Sequence, residues 1–153
     1  MKLQSYLAGE WREGSGEGRA VQDAITGEHV CSVTSDGLNT SEAVDYARTK
    51  GGPSLRSMTF HDRANALKTM AKYLLSRKED FYSLSLKTGA TRSDGWIDIE
   101  GGIGTLFSFG SLVTREFPNS TVMVEGTMER LSRGGSFVGR HILTSKPGVS
   151  VHI

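Results

Sequence analysis

An α/β chain is predicted, on three changes of pattern along the sequence. Short apolar stretches separated by glycine-rich turns fill the first third. Apolar residues at spacings of three and four then run to Val113, as in helices that bury one face. After Phe117-Pro118 the period changes again, to alternating and β-branched runs that suit extended strands.

Leu7-Ala8-Gly9-Glu10-Trp11 predicts a short strand with a turn-like glycine. The run Gly14-Ser15-Gly16-Glu17-Gly18 predicts a hairpin connection, since glycine supplies the positive φ of tight turns. Ala24 to Glu28 gives a second turn, and His29 to Thr34 a further strand. Asn39, three residues before Glu42, opens a helix through Ala47 as a capping box, and Gly51-Gly52-Pro53 stops it. Thr59 with Asp62 starts the next helix, whose Phe60, Ala64, Leu67, Met70, Ala71, Leu74 and Leu75 make a core-facing stripe. Ser76 with Glu79 starts another, which carries Phe81, Leu84 and Leu86 and ends at Gly89. The last helix begins near Ser93 and carries Trp96, Ile99, Ile103, Leu106, Phe107 and Val113. Strands are expected over Thr121–Val124, Met128–Ser132 and Ser136–Thr144, and a turn at Pro147-Gly148 leads into a final strand ending at Ile153.

Composition narrows the function classes. The 153 residues carry 18 basic and 17 acidic side chains, interleaved, for a net charge of +1. Without a basic stripe, neither nucleic acid nor an anionic membrane is an expected partner. The most apolar stretch, Ile103 to Val113, is interrupted by glycine, serine and threonine, so no membrane span is expected. The single cysteine, Cys31, fits a reducing compartment, and a cytoplasmic location is expected.

The residue types that carry chemistry are scattered. Cys31 lies in a strand-like run with no nearby histidine, which suits a buried, inert thiol. His29, His61, His141 and His152 lack metal-ligand spacing, so no metal site is predicted. Gly102-Ile103-Gly104 starts like a dinucleotide fingerprint, but Phe107 stands at the third glycine position and the run sits inside a helix. No catalytic and no cofactor-binding residue is therefore assigned. Gly101 and Gly102, side by side in a helix, each cost roughly 1 kcal/mol relative to alanine. Such a pair is kept where a packed neighbour or a ligand approaches the backbone.

The order of several weak motifs adds what single motifs do not. Leu7 to Trp11 and then Ala24-Ile25-Thr26-Gly27-Glu28 resemble the opening Asn-Gly-Glu-Trp and Asn-Pro-Ala-Thr-Gly-Glu motifs of the aldehyde dehydrogenase superfamily. The helix around Arg63, Ala64, Leu67 and Leu74-Leu75 resembles that family's Arg-Ala helix, and Thr88-Gly89 its Glu-Thr-Gly. Gly148-Val149 with Ile153 is similar to the strand that precedes the family's cofactor-binding Asn-Phe-Pro stretch. Ser145-Lys146-Pro147 departs from the family's usual proline placement, at a turn. Within the family, four segments resemble bifunctional phenylacetate-degradation proteins, in which the dehydrogenase is fused to an enoyl-CoA-hydratase-like domain: Ser35–Leu38, Thr88–Arg92, Asp98–Phe107 and His141–Lys146.

The resemblance implies the N-terminal portion of an aldehyde dehydrogenase fold. Residues 1–120 would belong to the NAD(P)-binding domain, 121–147 to an oligomerisation arm, and 148–153 to the first strand of the dinucleotide-binding sheet. The family's nucleophilic cysteine, general-base glutamate and phosphate-binding helix would all lie beyond Ile153. The longer parent would use NADP or NAD, this chain alone none, and the parent would be a homo-oligomer through the strand arm. The substrate would be a CoA-linked aldehyde, with Ile97, Gly101 and Gly102 bordering its tunnel. Two alternatives stand beside this: a benzoyl-CoA-pathway semialdehyde dehydrogenase without the hydratase, and a non-catalytic oligomerisation or binding module.

Overall fold

A computed structural model describes residues 1–152. It contains three separate two-stranded antiparallel sheets around a helical middle. Strands β1 (Gln4–Leu7) and β2 (Glu10–Glu13) pair from Gln4↔Glu13 to Leu7↔Glu10. The strand expected across 7–11 is thus folded into a hairpin. Ala8 and Gly9 both take positive φ, 52° and 91°, as a two-residue hairpin turn with the twist of its strands requires. Alanine seldom signals such a turn, so the sequence does not reveal it.

The glycine-rich run does not close a hairpin either. It carries β2 to β3 (Arg19–Gln22), which pairs with β4 (His29–Val33) in a different sheet. The Lys2 ammonium holds this run by donating to the carbonyls of Gly14 and Gly16 at 3.1 and 2.7 Å. A side chain at Gly14 would collide with the Thr34 carbonyl, so glycine is needed for close approach. The turn between β3 and β4 falls where expected: the Asp23 carboxylate accepts from the N–H groups of Ile25 and Thr26 at 2.9 and 3.1 Å.

Helix α1 (Thr40–Tyr46) starts at Asn39, whose side chain accepts from the Glu42 N–H. Gly51-Gly52-Pro53 does not stop it. A π-helical turn (Ala47–Gly51) leads straight into α2 (Gly52–Ser57), with Gly51 and Gly52 in helical conformation. The widened turn shifts the hydrogen-bond ladder by one residue, so Pro53 falls at the start of a new segment, where its missing N–H costs little. Thr59 and Asp62 form the expected capping box of α3 (Phe60–Ser76). Ser76 does not cap α4 (Lys78–Leu86): its hydroxyl turns back to the Tyr73 carbonyl, and Arg77 takes the cap position without a side-chain bond. Gly89, at φ 85°, follows the end of α4. The final helical stretch begins at Thr91, not Ser93, with a Thr91–Asp94 capping box. It comprises α5 (Arg92–Trp96), a second π-helical turn (Ile97–Gly101) and α6 (Gly102–Glu116).

Helices α3 and α6 pack antiparallel. Phe60 meets Phe117 with ring centroids 5.1 Å apart, the Lys68 ammonium donates to the Thr114 hydroxyl, and Gly110 lies directly over Ala64. Cys31, Ala64, Ala71, Tyr82 and Ile103 form the buried core. The remainder of the stripe expected on α3 is more open, with Met70 and Leu75 exposed. Strands β5 (Val122–Arg130) and β6 (Val138–Thr144) form a long hairpin without a buried residue, its register shifting between Glu125 and Glu129. Residues 145–152 form no strand; a strand requires a partner, and the described residues offer none there. Ile153, the end of the expected strand, lies outside the described residues.

The accessible surface is 11328 Å². A compact monomer of this mass exposes about 7,600 Å². The excess, about 3,700 Å², includes many large apolar side chains, such as Trp11, Tyr73, Ile97, Met128 and Ile142.

Candidate functional site

The helical stretch α5–π-turn–α6 carries the expected site residues, and α4 positions it. Gly95 lets α5 approach closely: a Cβ there would lie 3.2 Å from the Ser85 hydroxyl and 3.4 Å from the Tyr82 ring. Glu100, within the π-turn, is tied back to α4. The Tyr82 hydroxyl donates to Glu100 Oε1 at 2.8 Å, and the Lys78 ammonium donates to the same oxygen at 3.1 Å. Those two bonds hold the Glu100 carboxyl below the usual carboxylate range, Tyr82 having the larger influence. Burial, followed by the bond to Glu100, pushes the Tyr82 phenol up. The Arg92 guanidinium lies 4.3 Å from the Tyr82 ring centroid and pairs with Glu79 at 3.1 Å. This network fixes the π-turn against α4. The sequence gives no sign of it, because Tyr82 and Glu100 are eighteen residues apart and neither belongs to a motif.

The three expected tunnel residues are neighbours on this stretch but do not share one cavity. Ile97, 62% exposed, lines a groove of about 500 Å³ with Tyr82, Arg92, Trp96 and Glu100. Gly102 lines a second, mainly apolar groove of about 460 Å³ with Leu74, Phe81, Leu84, Ile99 and Ile103. Both are within the size range of ligand sites, roughly 300–1,000 Å³. Gly101 is exposed and lines neither. A Cβ built on Gly101, Gly102 or Gly104 meets nothing within 4 Å, which removes the close-packing account of the tandem glycines within this chain. Their backbone faces open space.

No side chain here is equipped as a nucleophile. Cys31 is buried in β4 opposite Val21. His29 Nε2 and the Ser32 hydroxyl are 3.1 Å apart, but the pair is exposed and no carboxylate is hydrogen-bonded to the imidazole. His61 serves the fold, bonding to the Phe117 carbonyl at 2.8 Å. Among the described residues no group of three or more His, Cys, Asp or Glu could hold a metal ion. No helix among them is long and apolar enough to cross a membrane.

The glycine pair Gly102 and Gly104 does not form a dinucleotide cradle. Gly102 and Gly104 lie inside α6, not at a glycine-rich strand-to-helix turn where backbone N–H groups face a pyrophosphate.

Comparison with known proteins identifies this architecture. The chain shares 36% identity over 154 aligned residues with the 3,4-dehydroadipyl-CoA semialdehyde dehydrogenase of Aromatoleum evansii, a match covering 100% of this chain and 30% of the relative. It thus spans under a third of that relative's length. The aldehyde dehydrogenase family pattern matches residues 11–133, from β2 through the helical middle and into the loop joining β5 to β6. With its hairpins, its helical middle and its exposed strand arm, the chain belongs to the aldehyde dehydrogenase family, as an N-terminal segment of that α/β fold.

Proposed function

We propose that this chain is the N-terminal part of an NAD(P)-dependent dehydrogenase that oxidises a CoA-linked semialdehyde in aromatic catabolism in the cytoplasm. The observation that carries this reading is the match over the whole chain to a relative named for a CoA-linked semialdehyde. In this reading residues 1–120 form the N-terminal part of the NAD(P)-binding domain, 121–147 form the arm through which subunits assemble, and 148–153 begin the dinucleotide-binding sheet. The thiol, the general base and the cofactor site belong to residues outside this chain, so the chain alone does not turn over aldehyde. Support comes from the burial of Cys31 and from the place of Gly102 and Gly104 inside α6.

Ile97, Gly101 and Gly102 border the path of the CoA thioester. The open space over both glycines supports this placement, since a bulky substrate arm needs room at the backbone. The parent is fused to an enoyl-CoA-hydratase-like domain and acts in phenylacetate degradation. A second reading, a semialdehyde dehydrogenase of the benzoyl-CoA pathway without a hydratase, is favoured by the relative's name, which states a dehydrogenase only.

The test joins the chain to the remainder of the Aromatoleum evansii relative and follows NADP and NAD reduction with a CoA-linked semialdehyde and with succinic semialdehyde. Oxidation of the CoA-linked substrate is expected, and Gly101→Leu should raise its KM while leaving the small aldehyde unaffected. Equal kinetics for Gly101→Leu and the parent on both substrates would remove Gly101 from the tunnel.

A further inference from the structure

Among the described residues, the Arg63 guanidinium carries two of the three buried side-chain polar atoms that lack a hydrogen-bond partner. Its Nε and Nη2 atoms are buried and donate to nothing. No carboxylate among the described residues pairs with it; its one close partner is the Phe60 ring, 5.0 Å from Cζ to centroid. Position adds to the cost. Arg63 is the fourth residue of α3, close to the end where the helix dipole is positive and a cation is disfavoured. A desolvated donor pair without acceptors is costly, so its presence calls for an explanation.

The two unpaired atoms are not an arbitrary pair. Nε–H and one Nη2–H point the same way along one edge of the planar guanidinium, the fork that matches the two oxygens of a carboxylate. Around it, Leu55 and Met58 from the α2 end and Ala66, Leu67 and Met70 of α3 line an apolar groove of about 360 Å³. Leu55 and Met70 are 55% and 45% exposed. The groove therefore offers one cationic docking point for an anion within an apolar rim.

We propose that this groove receives a segment of the same dehydrogenase outside residues 1–153, which places an Asp or Glu carboxylate on Nε and Nη2 of Arg63 and apolar side chains against Leu55, Met58 and Met70. The inference rests on the reading that the chain is part of a longer enzyme. Three observations select this occupant: the unpaired Nε–Nη2 fork matches a carboxylate, the chain covers 30% of its relative, and its surface exceeds that of a compact monomer by about 3,700 Å².

A change of sign tests it. In the 153-residue chain alone, Arg63→Met removes an unsatisfied charge at similar volume, so the melting temperature is expected to stay level or rise. In the chain joined to the remainder of the Aromatoleum evansii relative, the same substitution strands a buried carboxylate and is expected to lower the melting temperature, with Arg63→Lys falling between. A drop of equal size in both settings means the guanidinium is satisfied within the chain, and no drop in the joined protein means no carboxylate meets it; either overturns the proposal. A concentration-dependent loss in the chain alone assigns the groove to a second copy and overturns it too. Should the joined protein fail to assemble, association of the chain with the separately made remainder is the second measurement. Arg63→Met should weaken it by about thirtyfold or more, and equal binding, or none by the parent chain, overturns the proposal. None of these readouts uses turnover, so an inactive joined protein that still shows the change of sign would sink the catalytic reading and leave this one standing.

Discussion

The α3–α6 helix pair and the β5–β6 hairpin both carry large apolar residues, but only the helix pair contains buried positions. The helix pair turns its small residues inward: Ala64, Ala71 and Gly110 are buried, so the two backbones approach closely. The hairpin buries nothing. Val122, Val124, Val138, Ile142 and Leu143 are all exposed, and Met128 at 62% is barely covered. One region packs its two helices against each other, while the other leaves its apolar side chains open to solvent. The two regions should therefore respond differently to mutation, and each prediction below tests that difference.

The largest effect is expected at Gly110. A Cβ there would lie 2.9 Å from the Ala64 carbonyl oxygen and 2.8 Å from Lys68 Cγ. The lysine stem can move, but the carbonyl is held in the α3 ladder. Gly110→Val should cost about 2–3 kcal/mol, read from urea unfolding of the chain. A loss under about 0.5 kcal/mol would mean that the helices are not in contact as described.

Acid acts next, on the helical half and the first turns. The carboxyls of Glu100, Asp62, Asp94, Asp23 and Glu42 are all held below their ordinary values, by Tyr82, Thr59, Thr91, the backbone N–H groups of Ile25 and Thr26, and Arg12, respectively. A carboxyl with a lowered folded value stabilises fully above its unfolded value, near 4, and loses that contribution as pH falls through the folded value. The melting temperature should therefore be flat near neutrality and fall below about pH 4. Tyr82→Phe removes the strongest influence on Glu100 and should shrink that fall. It should also speed amide exchange across Ile97–Gly101, and unchanged exchange would show that the network does not hold the π-turn.

Loss of a cap ranks below that. Thr59→Ala removes the acceptor for the Asp62 N–H at 3.1 Å and leaves the returning Asp62 bond without its counterpart. About 1 kcal/mol of stability should go, whereas the same change at Thr121, where no cap is formed, should be nearly silent.

What the sequence revealed follows the same division. Helix starts at Asn39 and Thr59 were legible because capping needs only local chemistry, three residues apart. The stop read at Gly51-Gly52-Pro53 failed because stop signals assume an α-helical ladder, and a π-turn moves it by one residue. The Ala8-Gly9 turn was hidden because a positive-φ alanine has no sequence signature. In the candidate site, Ile97, Gly101 and Gly102 came from family resemblance, while Tyr82 and Lys78 become their neighbours only when α4 folds against the stretch that begins with α5. Arg63 lay within a recognised motif, yet its unpaired fork appears only in three dimensions.

The smallest effect on the chain itself is expected at Ile142, and it is the most telling for the hairpin. Ile142 is 62% exposed and stands across from Val124, itself 45% exposed. Ile142→Ser removes apolar surface that is already in water, so unfolding of the isolated chain should shift by no more than about 0.5 kcal/mol. In the joined protein the same side chain belongs to the proposed assembly arm, and its loss should reduce the oligomer fraction measured by light scattering. A large destabilisation of the isolated chain would mean that the hairpin already has a partner within residues 1–153, and the contrast with the helix pair would disappear. An oligomer that ignores Ile142→Ser would move the assembly surface off this face of the hairpin, to the side carrying Met123 and Leu143, which pair directly across the same two strands.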